Sequence, residues 1–302
     1  MIRQHYSVRG LVRDPGRFSA AQLGSVDLVK ISGLEDEVAI ARALAGIDVV
    51  VHLAARVHAM DDTQAQDSEY DRVNHQGTLT LARLAKNAGV RRFIFLSSIK
   101  VNGEERVVPY SAADVPNPQD AYARSKYRAE SALLAYGQAS GFDVVVIRPP
   151  LIYGAGVKAN FLQLIRWVKR GIPLPLAGLT NRRTLVSITN LVDLVRVCVV
   201  HPQAEGQIFL VSDGEAVSTS TLIRRIAQAY GVKPRLFYCP DILLRMIAKL
   251  LRRSSSADRL LGSLAVDITH TQQCLDWQPP ATMLQTLVDM ARQDKARIEN
   301  AG

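Results

Sequence analysis

Short apolar runs rich in β-branched residues alternate along this chain with longer stretches in which apolar positions recur every three or four residues. Residues 7–12, 26–31, 48–53, 92–96 and 143–147 have the length and composition of strands, while 38–44, 77–88 and 122–139 carry the helical period. Runs such as Phe93-Ile94-Phe95-Leu96 are apolar throughout, so both faces must be covered. Their alternation with helices predicts parallel strands joined by crossover helices, an α/β doubly wound sheet. After Pro149-Pro150 the rhythm loosens: helices over 160–170 and 219–229, a proline-studded loop over 171–175 and strands near Leu185 and Ile208 predict a smaller α+β region. The expected division is 1–155 and 156–302, with about 184–200 returning to the first sheet.

Composition agrees with a folded chain. Its 302 residues are 48% hydrophobic and 22% charged, enough to bury a large core. The net charge of +9 raises the question of an acidic partner, but Arg and Lys are spread through every segment. The densest basic group, Arg252 and Arg253 beside Ser254 to Ser256, has no interleaved aromatics, which argues against a nucleic-acid surface. That tract, 252–258, is the only linker-like stretch. Cys198, Cys239 and Cys274 fit neither metal-ligand spacing nor a disulfide framework, so no metal is expected and a reducing cytoplasm is the simplest setting. No run approaches the roughly 20 apolar residues that span a bilayer, and the first residues do not read as a signal peptide. Residues 242–251, apolar with basic interruptions, could lie on a membrane, although a core-facing helix is the plainer reading.

Candidate chemistry begins with Tyr122 and Lys126, four apart in a helical segment and so on one face about one turn apart. A phenol with an ordinary pKa of ~10 is a poor acid or base at neutral pH, and a fixed ammonium stabilises its anion; a drop of about three pH units takes roughly 4 kcal/mol. A tyrosine–lysine pair of this spacing also arises on exposed helices by chance. Context adds to it: the run 93–98 is a buried strand ending in Ser97-Ser98, and ligands gather at the carboxyl ends of parallel strands. Ser98 there could hydrogen-bond a substrate oxygen while the tyrosine exchanges its proton, although a lone serine at a strand end is usually a cap or turn residue.

Five motifs then fall in one order: Val51-His52-Leu53-Ala54-Ala55, Asn74-His75-Gln76-Gly77-Thr78, the tract 96–103, Tyr122-Ala123-Arg124-Ser125-Lys126 and Arg148-Pro149-Pro150 through Gly154. In order and spacing the chain resembles the extended short-chain dehydrogenase/reductase family, most closely its nucleotide-sugar epimerase and UDP-4-keto-sugar reductase branch. The resemblance covers about 7–287. It implies a Rossmann-like dinucleotide-binding domain with a smaller substrate-binding region, an NADP or NAD cofactor and a UDP-sugar substrate. It casts Tyr122 as acid/base, Lys126 as the cation that lowers its pKa and holds the nicotinamide ribose, and Ser98 as the contact to the sugar oxygen. Leu53, Ala54 and Ala55 would line the cofactor, Asn74 would fix a neighbouring helix and strand, and Pro150 would lie near the nicotinamide. Asn160, Arg183 and, more weakly, Arg259 would hold the UDP diphosphate or ribose, in keeping with the affinity of helix N-termini and guanidinium groups for phosphate. Relatives often form homodimers through the helices that correspond to 77–88 and 122–139.

The sequence departs from that family at two places. No Gly-x-x-Gly-x-x-Gly turn precedes the first predicted strand, which corresponds to the family's second. A central strand would then be missing, leaving two strands without their shared neighbour. Either a longer reading frame precedes Met1, the favoured explanation, or the chain is a degenerate member. Second, Arg13 stands where many NAD-binding relatives place an acid, with Asp14 next; Arg13, aided by Arg17, would pair with the 2′-phosphate of NADP, while Asp14 leaves NAD open. The expected function is hydride transfer at C4 of a UDP-hexose, first as UDP-4-keto-sugar reduction for surface polysaccharide (O-antigen), then as 4-epimerisation. A non-catalytic ligand sensor on the same fold is the alternative of another class.

Overall fold

The computed structural model describes residues 6–18, 24–57, 64–157, 159–240, 242–244, 246 and 261–299. In chain order the strands are β1 (Arg9–Val12), β2 (Asp27–Lys30), β3 (Val49–His52), β4 (Arg92–Leu96), β5 (Arg106–Tyr110), β6 (Asp143–Arg148), β7 (Leu151–Tyr153), β8 (Arg183–Ser187), β9 (Ile208–Leu210), β10 (Ala216–Val217) and β11 (Leu264–Val266). The α-helices are α1 (Glu37–Leu44), α2 (Gln64–Tyr70), α3 (Gly77–Asn87), α4 (Ala121–Ser140), α5 (Ala159–Lys169), α6 (Ile188–Val200), α7 (Thr219–Tyr230), α8 (Thr269–Leu275) and α9 (Met283–Glu299). They divide into one compact unit of 1–101, 116–148 and 196–208 and a second of 102–115, 149–195 and 209–302. The linker-like tract 252–258 and Arg259 lie outside the described residues, as does most of 242–251.

In the first unit, β3, β4 and β6 are parallel, with Val50 opposite Phe93 and Phe93 opposite Val144. The chain at 206–207 extends this sheet, Gly206 N–H donating to Val144 and Val146 N–H to Gln207. Phe93, Ile94, Phe95, Val145, Val146 and Ile147 have no exposed surface, as continuously apolar strands require. One covering layer packs Ile40, Leu44, Leu81, Ala85, Ala129 and Leu133 against Phe93, Phe95, Val144 and Val146. β1 and β2 pair with each other in parallel and form a separate two-stranded sheet. Val51 on β3 is exposed, whereas its partner Ile94 on β4 is fully buried.

Local signals set the helices that matter most. Asp120 caps α4, its carboxylate accepting from Ala123 N–H at 2.7 Å, and Gly141, at φ 65°, closes it in the left-handed conformation. Within α4, Gly137 lets the helix meet the following strand: a Cβ there would sit 2.8 Å from the Phe142 carbonyl oxygen.

The second unit has its own sheet, ordered β10-β8-β11-β5 with β7 alongside β8. Its core joins Tyr153, Phe161, Leu164, Ile165, Leu185, Ile223, Ile226, Met283 and Leu287. Buried Asp213 accepts from Tyr153 Oη (2.6 Å), Ser187 N–H (2.7 Å) and Asn190 Nδ2 (2.6 Å), tying β7, β8 and α6 together. β8, at the start of the tract expected to rejoin the first sheet, belongs to this second one, and 196–208 belong to the first unit.

Candidate active site

The carboxyl ends of β3 and β4 and the first two turns of α4 converge within the first unit. β4 ends at Leu96, and Ser98 follows just before a short 3-10 turn, Ile99–Val101. The Ser98 hydroxyl accepts from Lys100 N–H at 3.3 Å and acts on the Tyr122 phenol in the direction that favours its anion. Lys100 in turn forms an ion pair with Asp120, the cap of α4. The loop that carries the serine and the helix that carries the tyrosine are thus fastened at the same point.

Tyr122 is half-buried, its ring meeting Tyr70 edge to face at 6.3 Å. Burial is the largest influence on its phenol and outweighs the opposing effect of Ser98; with the charges of Asp120 and Tyr70 it pushes the pKa up to about 12. Lys126, expected to lower it, is not among the influences acting on the phenol here. The fully buried ammonium donates to the Leu96 carbonyl at 2.7 Å and lies 4.4 Å above the Phe95 ring. Burial brings its own pKa down to about 7, against the opposing pull of Glu130. One of its three N–H groups is spent on Leu96, and the charge is held at the strand end.

Asn74 lies in a turn of π-helix, Asp71–Gln76, inserted between α2 and α3. Fully buried, it accepts from Arg56 N–H (2.8 Å) and donates to Arg56 O (3.1 Å) and Ser125 Oγ (2.9 Å), while Ser125 Oγ donates to the Tyr122 carbonyl (2.8 Å). One amide therefore ties the chain after β3 to the turn of α4 that presents Tyr122 and Lys126. His52, at the end of β3, stacks on Phe95 and contacts Thr78 Oγ1 at 2.9 Å. Because the Thr78 hydroxyl donates to the Asn74 carbonyl, His52 Nε2 must be the donor to Thr78. Burial, reinforced by Lys126, drops the imidazole to about 3, so it is neutral.

Leu53 and Ala54 are exposed and Ala55 half-buried just beyond β3. A phenol, a seryl hydroxyl and a buried ammonium supply donors, and exposed apolar side chains at a strand end supply the flat surface, that a nicotinamide riboside would need. Arg13 is exposed after β1, while Asp14 caps Gly16 N–H at 3.1 Å and pairs with Arg17 at 3.1 Å. In the second unit, Pro150 is buried ahead of β7, and Asn160 is exposed in the first turn of α5. Arg183 opens β8 and donates to the Gly262 carbonyl at 2.9 Å.

Sequence reasoning missed three contributors. Asp120 was legible as an acid directly before a helix. Glu130, the next i+4 position after Tyr122 and Lys126, was legible as a third member of that face; it is fully buried and paired with Arg148. The bracing of His52 against Thr78 had no local signal.

Residues 1–212 match the family model described as the NAD dependent epimerase/dehydratase family. The UDP-glucose 4-epimerase of Vibrio cholerae is 48% identical over 239 residues, 78% of this chain and 73% of that protein. A 4-epimerase of N-acetyl-α-D-glucosaminyl-diphospho-undecaprenol from Escherichia coli O157:H7 is 27% identical over 76% of this chain and 72% of its own. Among solved structures, Thermotoga maritima UDP-glucose 4-epimerase with UDP-glucose superposes with a TM-score of 0.77 at 18% identity, covering 98% of this chain and 93% of that one. Bordetella bronchiseptica WbmG in complex with NAD gives 0.75 at 19%, covering 97% and 88%. The α/β fold is shared with these structures, and the chain belongs to the NAD-dependent epimerase/dehydratase family.

Proposed function

We propose that this protein catalyses NAD(P)-dependent oxidoreduction at C4 of a UDP-hexose, and that 4-epimerisation is its reaction. One observation carries the chemistry: Ser98, just past the carboxyl end of β4, favours the ionised form of the Tyr122 phenol on the neighbouring helix, and Lys126 stands one turn further along that helix. The 48% identical relative, a UDP-glucose 4-epimerase, supports the choice of reaction and substrate class.

A bound nicotinamide supplies the hydride acceptor and donor. The chain's own residues manage the oxygen. Ser98 Oγ donates to the C4 oxygen, and Tyr122 Oη removes or returns the proton on that oxygen. At about 12 the phenol is protonated at neutral pH, the form that delivers a proton to a ketone. Taking a proton from an alcohol requires the phenolate, and Lys126 is the cation on the tyrosine's own helical face to stabilise it. Lys126 would hold the ribose with its remaining N–H groups, and Leu53, Ala54 and Ala55 would line the ring. Asn74 would keep the β3 end and α4 in register. Asn160, Arg183 and Arg259 would receive the UDP moiety.

A second reading, reduction of a UDP-4-keto sugar, draws support from Arg13: the neighbouring Asp14 is engaged with Gly16 and Arg17, which leaves an exposed guanidinium suited to the 2′-phosphate of NADP. Incubating purified protein with UDP-glucose and UDP-galactose separates the two. Epimerisation interconverts the sugars with no net cofactor consumption. Reduction instead oxidises one NADPH per 4-keto sugar and leaves the UDP-hexoses unchanged. If neither occurs and the protein still binds UDP-sugar, it is a non-catalytic sensor and the proposal fails.

A further inference from the structure

Along α4 the residues Tyr122, Lys126 and Glu130 recur every fourth position and therefore line one face. Glu130 is fully buried, and its carboxylate is gripped by Arg148, the last residue of β6: Nε donates to Oε2 at 3.0 Å and Nη2 donates to Oε1. Both side chains are 2% exposed. Buried ion pairs of this kind are seldom needed for stability, because a well-packed apolar pair of the same volume does as well or better. Its position beside Lys126 therefore calls for a reason.

We infer that Glu130, clamped by Arg148, is a positioning residue for Lys126: it supplies the buried negative charge that keeps the Lys126 ammonium charged at the end of β4. The groups facing Lys126 are the Leu96 carbonyl and the Phe95 ring from β4, His52 from β3, Tyr122 and Glu130 from α4, and Arg148 from β6 through Glu130. Of these His52 is neutral, Tyr122 is a protonated phenol at neutral pH, and Leu96 and Phe95 contribute a dipole and a ring quadrupole. Glu130 is the one full negative charge among them. Arg148 fixes the carboxylate bidentately, so its field on Lys126 does not depend on a freely rotating side chain. The importance of this for turnover rests on the function proposed above, but the effect on Lys126 itself does not.

The test is a pH titration of the Lys126 side chain, followed by NMR in protein labelled with 13C at lysine Cε and assigned by loss of the signal in Lys126→Met. The midpoint should fall by at least one pH unit in Glu130→Gln, a tenfold loss of charged lysine above the midpoint, and should be kept by Glu130→Asp. Glu130→Gln strands Arg148, whose uncompensated charge adds to the fall, so Glu130→Gln/Arg148→Met, which removes both charges, is measured beside it and should show a smaller fall of the same sign. In turnover, both Gln variants should lose activity about tenfold at pH 8 while keeping most of it near pH 6. A midpoint unchanged in the double variant, or activity restored to the parent value at pH 8, would show the pair to be merely structural and overturn the inference. If the parent turns over no UDP-sugar at all, the functional proposal fails, and the titration still decides the role of Glu130.

Discussion

Replacing Lys126 by methionine should make the protein more stable, and more so in acid. The ammonium is fully buried and titrates at about 7 in the fold, against 10.5 for an ordinary lysine. A depressed lysine binds fewer protons folded than unfolded between those values, so stability is complete only above 10.5 and is lost as pH falls toward 7. At 1.36 kcal/mol per pH unit the whole gap corresponds to about 5 kcal/mol. Integrated between pH 9 and pH 6, the mismatch comes to about 2 to 3 kcal/mol. Methionine has similar length and no charge. The hydrogen bond to Leu96 that it gives up costs about 1 kcal/mol at either pH and cancels in the difference. Urea denaturation of parent and Lys126→Met at pH 6 and pH 9 measures this directly. The variant's advantage at pH 6 should exceed that at pH 9 by about 2 to 3 kcal/mol. An equal advantage at both, or a larger one at pH 9, would refute the claim that the protein carries this charge at a cost.

Asn74→Ala leaves both backbone groups of Arg56 without their partner and should cost about 2 to 4 kcal/mol in urea unfolding, with a larger loss of activity than stability alone explains. His52, held near 3 against an ordinary 6.5, contributes stability that is present above 6.5 and lost as pH falls toward 3; His52→Phe should remove about 3 kcal/mol of the destabilisation seen between pH 6.5 and 4, and an unchanged acid limb would contradict its burial as a neutral ring. Gly137→Ala should destabilise by about 1 to 3 kcal/mol, reversing the usual benefit of alanine in a helix, because its Cβ meets a backbone oxygen at 2.8 Å.

Strands and helices of the first unit were legible because their signals are local: β4 and β6 are unbroken apolar runs, and α4 has an acid at its start and a glycine at its end. Residues 64–76 gave no such signal, since Gln64-Ala65-Gln66-Asp67-Ser68-Glu69 has no apolar period, yet they form α2 and the π turn that aims Asn74. β5 was illegible for another reason: Arg106-Val107-Val108-Pro109-Tyr110 is short and holds a proline, and it is a strand only because β11, some 150 residues later, pairs with it. At the site, the spacing of Tyr122 and Lys126 correctly placed both on one face of α4. What spacing could not show is where the ammonium points, because that depends on the Leu96 carbonyl and the Phe95 ring of a different element.

Substituting the phenol alone is the most direct measurement. Tyr122→Phe keeps the ring against Tyr70 and removes only the hydroxyl that meets Ser98. The account predicts that UDP-sugar binding, read by calorimetry, stays within about threefold of the parent while turnover falls by about 10² or more, the usual worth of a positioned acid/base. Turnover at the parent rate in that variant would contradict the chemistry assigned to this site.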